Sequence, residues 1–226
     1  MNNTVKIDCL DDLIGREITD TGHGKCYLTK DNMVFVLTGK CHEEDIKRLS
    51  KFYSTHFAFP RTLVYINDDL VGYVREHING DTLDSLPEFV SFEKYTSEIE
   101  RIEREIDILS QYRLRLLGIG KDNIFYTNEG ELKVADVEAY KTIKNSNGLR
   151  AYNIRDFAYG VLSPVLNISE QNFYDDKLNE YSYLTYNGNM NPSNLLYEIN
   201  NELEKDGISK PDNFIELKRQ IRYLQK

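Results

Sequence analysis

The stretch Gly118-Ile119-Gly120-Lys121-Asp122-Asn123-Ile124-Phe125, continuing into Leu132-Lys133-Val134-Ala135-Asp136, decides how the rest of the chain is read. Glycines at 118 and 120 and the polar run that follows make the first part a loop. Ile124 to Ala135 reads as a short β-hairpin. The hairpin separates two oxygen-bearing residues, Asn123 and Asp136, by thirteen positions, and Gly118 stands five residues ahead of Asn123.

On the N-terminal side of this loop, Tyr95, Ile99, Ile102, Ile106 and Leu109 recur at spacings of four and three. They mark one face of a long helix starting near Ser91. Glu98, Glu100, Arg101, Glu103, Arg104 and Glu105 are assigned to its solvated face, with charge pairs between helix neighbours. On the C-terminal side, Lys141 to Arg150 is polar and without periodicity. Phe157, Val161, Leu162 and Val165 then indicate another helix. A last helix opens at Pro211-Asp212 and aligns Phe214, Leu217, Ile221 and Leu224. Its Lys218, Arg219, Arg222 and Lys226 lie toward the C-terminal end, where the helix dipole favours cations.

The first ninety residues read differently. Ile14–Asp20, Lys25–Lys30, Met33–Leu37, Thr62–Ile66 and Leu70–His77 are strand candidates, with turns at Asp31-Asn32 and Asn67-Asp68-Asp69. His42–Phe52 carries Ile46, Leu49 and Phe52 at helical spacing. A strand-rich half followed by a helix-rich half predicts an α+β fold of two segregated lobes, 1–80 and 81–226, hinged near Arg75 to Asp81.

The net charge of −9 argues against a general nucleic-acid binder, which needs clustered Lys and Arg. A few local donors suffice for a nucleotide. Cys9, Cys26 and Cys41 are odd in number and at no metal-ligand spacing, and no apolar segment follows Met1, so free thiols in the cytoplasm are expected. No run of apolar residues is long enough for a membrane span, and no membrane partner is expected.

In order and separation these pieces resemble the protein-kinase family. Val71 to Leu83 is similar to a kinase hinge strand with its following Gly-x-x-Leu element, here Gly80-Asp81-Thr82-Leu83, and Phe59-Pro60-Arg61 ahead of the preceding strand also fits. The family's catalytic loop reads His-Arg-Asp, four variable residues, then Asn. With that Asn on Asn123, the preceding positions fall on Leu116, Leu117 and Gly118, and the family's Asp-Phe-Gly falls on Asp136-Val137-Glu138. The resemblance implies a minimal two-lobed kinase-like fold, with ATP and Mg²⁺ in the cleft and Asn123 and Asp136 as metal ligands. Hard Mg²⁺ takes oxygen ligands and shares its shell with phosphates. Read without the family, Asn123 is a loop residue bonding its own backbone and Asp136 a turn residue after a strand.

The departures from the family bear on catalysis. Glycine at 118 replaces the aspartate that orients the substrate hydroxyl and accepts its proton. Gly22 and Gly24 form a Gly-x-Gly that is either a phosphate-covering loop or a tight hairpin turn, with Tyr27 where a third glycine is common. The strand lysine falls on Leu37 or Thr38. Lys40 is a candidate substitute, with Glu43 or Glu44 as its partner, or else a surface lysine. Glu76 belongs to the hinge side of the expected nucleotide site. Asp156, in Asn153-Ile154-Arg155-Asp156-Phe157, resembles the structural aspartate that bonds the catalytic-loop backbone. The segment from Asp136 to Asp156 is short and lacks Ala-Pro-Glu, so the resemblance implies a peptide-docking platform that is reduced or missing.

The expectation is a regulatory or binding pseudokinase with a protein partner or substrate. The alternative is an active atypical protein kinase or nucleotidyl transferase that uses ATP. The Tyr-rich stretch 173–186 serves as a binding surface or, more simply, packs the helical half.

Overall fold

The computed structural model describes residues 3–21, 24–37, 43–85, 90–166 and 173–225. Its contacts divide the chain into a sheet unit, Met1–Asn79 with Ala135–Tyr140, and a helical unit, Gly80–Val134 with Lys141–Lys226. The described residues form an α+β protein with a strand-rich sheet region and six α-helices.

The sheet unit contains β1 (Asn3–Lys6), β2 (Ile14–Thr21), β3 (Gly24–Thr29), β4 (Val34–Leu37), helix α1 (Glu43–Leu49), β5 (Thr62–Ile66) and β6 (Asp69–Arg75). The strand order is β1-β5-β6-β4-β3-β2. β1, for which the sequence gives no signal, adds parallel to β5, and every other pairing is antiparallel. The β5–β6 hairpin has the two-residue loop that its residues favour. Asn67 and Asp68 take φ of 49° and 67°, with Ile66 opposite Asp69. Two consecutive left-handed residues match strand twist, and Asn and Asp tolerate that conformation best among residues with a Cβ.

Alternation along β4, β5 and β6 sends Phe35, Val64 and Val74 into one core, against which Val5, Ile14, Tyr27 and Leu37 pack. A second apolar cluster is aromatic. The Phe57 and Phe59 rings lie 5.8 Å apart, and both meet Tyr140 edge-on at 6.2 and 6.5 Å. Helix α1 carries Glu43, Glu44 and Asp45 in its first turn, where the dipole favours them, and buries Ile46 and Leu49.

The helical unit begins with β7 (Gly80–Thr82) and is built around α2 (Phe92–Gln111). Then follow β8 (Leu114–Arg115), β9 (Ile124–Thr127), β10 (Leu132–Val134), β11 (Lys141–Thr142), α3 (Leu149–Leu162), α4 (Asp176–Tyr186), α5 (Pro192–Lys205) and α6 (Phe214–Leu224). Strands β10-β9-β7 form one antiparallel sheet and β11-β8 another. Gly80 lies so close to β9 that a Cβ there would sit 2.3 Å from the Tyr126 carbonyl, so this position takes only glycine.

Ser91 caps α2, its hydroxyl accepting from the Lys94 amide. The stripe Tyr95, Ile99, Ile102, Ile106 and Leu109 is buried, as its spacing predicts. Tyr95 ties two helices to this strut: its hydroxyl donates to the Val161 carbonyl of α3 at 2.7 Å, and its ring meets Phe214 of α6 edge-on at 4.6 Å. In α6 the stripe Phe214, Leu217, Ile221 and Leu224 is likewise buried.

The solvated face assigned to α2 needs correction at two residues. Glu98 and Glu103 are 2% and 3% exposed. Each lies one helical turn from stripe residues on both sides, so each sits at the edge of the apolar face. Glu98 accepts from the Leu132 amide at 3.1 Å, covering an edge-strand donor of β10, and from Arg101 at 2.7 Å. Helix α4 arises within the Tyr-rich stretch 173–186, and α5 follows it where the sequence reading placed no element. Asp175 caps α4 by accepting from the Leu178 amide, and Pro192 opens α5. Within 173–186, Phe173 and Tyr186 are buried, while Tyr174 and Tyr183 are exposed.

Glu103 does for α5 what its own N-cap residue does not. The carboxylate accepts from the Ser193 amide (2.9 Å), the Ser193 hydroxyl (2.6 Å) and Asn191 Nδ2 (3.0 Å). An anion at a helix N-terminus meets unpaired amides and the positive end of the dipole. Burial nevertheless outweighs these bonds and raises the Glu103 pKa from 4.5 to about 7, with Glu100 adding repulsion. The folded chain thus holds this proton more tightly than the unfolded one. Its stabilising contribution is fully present below pH 4.5 and is lost as the pH rises through about 7. The difference corresponds to roughly 3 kcal/mol. Urea melts of the wild type and Glu103→Gln at several pH values should show the wild type losing stability relative to the variant across this window, by roughly that amount.

Candidate functional site

The loop from Leu114 to Asn123 is held from below by one buried amide. Asn153 of α3 is fully buried, and its Oδ1 accepts from the Leu116 amide and from Arg115 Nη1, both at 3.0 Å. Its Nδ2 donates to the Leu114 carbonyl at 2.9 Å and to Ser110 Oγ at 3.0 Å. These four bonds use the whole capacity of an asparagine side chain, and only an amide offers donors and acceptors together.

Asp156, one turn later, does not take the backbone-bonding role that the resemblance implied for it. Its carboxylate accepts from Arg115 Nη2 at 2.5 Å and from Arg155 Nε and Nη2 at 3.1 and 3.0 Å. A carboxylate is an acceptor only, so it pairs with guanidinium groups, while a site needing both a donor and an acceptor goes to Asn153. Arg115 passes the connection on, since its Nη1 also donates to the Leu116 carbonyl at 2.8 Å. The Tyr152 ring lies under both guanidinium groups, 5.8 Å from Arg115 and 5.3 Å from Arg155.

Beyond the buried Leu116 the chain turns at Gly118, which has φ of 74°. A Cβ there would meet nothing within 4 Å, so backbone conformation alone favours glycine. The Gly118 carbonyl accepts from the Gly120 amide (2.9 Å) and from Asn123 Nδ2 (2.8 Å), and the Asn123 amide donates to the Gly120 carbonyl (3.0 Å). Asn123 thus bonds its own loop, as the simpler sequence reading has it. That bond engages only the nitrogen. Lys121, at the tip, pairs with Asp84.

Beyond Asn123 runs the β9–β10 hairpin, in which Ile124 lies opposite Val134. Asp136 belongs to the sheet unit and adopts φ 62° and ψ 40° ahead of a 3-10 turn, Val137–Ala139. A non-glycine residue in this region carries a strain of roughly 1–3 kcal/mol.

Of the nucleotide-side candidates, Gly22 and Lys40 lie outside the described residues. Gly24 starts β3 opposite Thr21. Glu76 follows β6, and its carbonyl accepts from Arg75 Nη1 at 3.0 Å. Glu43 pairs with Lys47 at 2.6 Å. Among the described residues no three His, Cys, Asp or Glu side chains stand together as a metal site. An ion at Asn123 or Asp136 would therefore draw further ligands from a bound anion or water.

Sequence reasoning missed Asn153 and Arg115. Asn153, Phe157 and Val161 follow at spacings of four, so a polar residue on an apolar helical stripe was the available signal. Asn153→Leu keeps the branched shape, though with bulkier methyl groups, and strands the Leu116 amide and the Leu114 carbonyl. Denaturant unfolding should show a loss of roughly 2–6 kcal/mol.

A search against models of known families returns no match, and no curated protein matches the chain.

Proposed function

We propose that the chain is a protein-kinase-like protein that binds ATP with Mg²⁺ through Asn123 and Asp136, and that it acts by binding and regulation rather than by efficient phosphotransfer. The supporting observation is the lock on Asn123. With Nδ2 held by the Gly118 carbonyl, the side chain is fixed, and among the described residues nothing donates to Oδ1. A fixed amide oxygen suits a hard cation. The left-handed backbone at Asp136 adds support.

Mg²⁺, when bound, supplies positive charge to the nucleotide phosphates. The chain's own contribution is then to hold the ligand oxygens and to aim the loop. At Gly118 no side chain can orient a hydroxyl or take its proton, which removes a contribution of ~10²–10⁴-fold in rate. An active atypical kinase or nucleotidyl transferase is the second reading, because phosphoryl transfer rests mainly on positioning and electrostatics.

Thermal or urea unfolding with ATP tests the binding. At 100 times the dissociation constant, Mg-ATP should stabilise the chain by about 2.7 kcal/mol. The gain should vanish with EDTA or in Asp136→Asn, a change that tolerates the left-handed backbone. No stabilisation at millimolar nucleotide would sink this reading.

Gly118→Asp tests the missing base. The space beside Gly118 is open, and the backbone strain of an aspartate there is roughly 1–2 kcal/mol. Labelled-ATP transfer should be slow in the wild type and rise at least ~10-fold in the variant. Fast wild-type turnover that is lost in Asp136→Asn would favour the enzyme instead.

A further inference from the structure

The cations of α6 were assigned from sequence to the favourable end of the helix dipole; Lys226 lies outside the described residues, and of the other three Arg222 stands in the last turn. Lys218 and Arg219 lie mid-helix. Ile215, Lys218, Arg219 and Arg222 follow at three- and four-residue spacings and share one face. That face lines a cavity of about 560 Å³ within the helical unit. Asp84 and the loop residue Lys121 also line it.

Four cations therefore meet one carboxylate, and that carboxylate is engaged by Lys121. Among the described residues no ion pair or hydrogen bond reaches Lys218, Arg219 or Arg222. Like charges one helical turn apart repel, so the cluster favours company of opposite sign. In a chain carrying −9 overall, such a concentration is a local reversal of the field. The volume lies in the range of small-molecule sites, ~300–1,000 Å³. Guanidinium groups match phosphate oxygens in pairs, and lysines add point charge.

The geometry points to a binding site for a small molecule carrying two linked phosphates, seated between α6 and the tip of the Gly118–Asn123 loop. The site is independent of the nucleotide reading, because it uses neither Asn123 nor Asp136. Arg219 and Arg222 grip the phosphates, and Lys218 and Lys121 supplement the charge. Asp84 opposes binding by holding Lys121 and repelling the anion.

The test is calorimetric titration of the full chain with inorganic pyrophosphate in EDTA at physiological salt. Saturable binding is expected with a dissociation constant below about 1 mM. Charged hydrogen bonds lost in Arg219→Gln with Arg222→Gln should weaken it by roughly 100-fold. Asp84→Asn should tighten it, a direction that loss of fold cannot mimic. Exposed Arg104→Gln on α2 and Asp136→Asn should leave it unchanged. The proposal is overturned by absence of saturation at about 10 mM. It is equally overturned by comparable weakening in Arg104→Gln, which would show diffuse charge, or by loss in Asp136→Asn, which would assign the anion to the nucleotide site.

Discussion

The helical unit depends on the four hydrogen bonds of Asn153. A buried amide with every donor and acceptor used fixes its surroundings more sharply than apolar packing, because each bond has a direction and each lost partner is expensive in low dielectric. Here the partners are the end of α2, both strand residues of β8 and the first residue of the loop that follows. The loop's path to Gly118 and Asn123 is set before any side chain of the loop acts. Arg115 and Asp156 extend the same network toward the surface, and Tyr152 covers it.

Helix α2 is the other organising element, and it works through polar groups as much as apolar ones. Its stripe supplies burial, at about 1.5–3 kcal/mol for each fully buried aliphatic side chain. Its carboxylates supply direction: Glu98 seals the edge of β10 and Glu103 caps α5. Burying a carboxylate is costly, and that cost raises the Glu103 pKa despite the hydrogen bonds the group accepts. Each of the two carboxylates accepts from one main-chain amide that would otherwise be unpaired, so the acid and the strand edge or helix end each satisfy what the other lacks.

Much of the fold was legible in the residues. Strands β2 to β6, α1, α2, α6 and the β9–β10 hairpin follow from period-two and helical spacing and from turns such as Asn67-Asp68, whereas the short β7, β8 and β11 do not. β1 was not legible, because four residues joining parallel to β5 leave no local signature. The loop site was legible as a loop with Asn123 and a glycine at 118. Its support was not: Asn153 looked like any polar helix residue, and Asp156 drew the attention that belonged three residues earlier. The cavity beside α6 was invisible, since its walls come from residues near 84, 121 and 218.

By itself the sequence determined the α+β class, the buried stripes of α2 and α6, and the left-handed turn between β5 and β6, all consequences of neighbours within a few residues of one another. Tertiary structure alone decided that Glu98 and Glu103 are buried, that Asn153 rather than Asp156 holds the loop backbone, and that Lys218 and Arg219 face a cavity with Lys121. Local spacing can say which side of a helix a residue lies on. It cannot say what stands opposite, and for a polar group the partner opposite sets its burial, its charge state and its role.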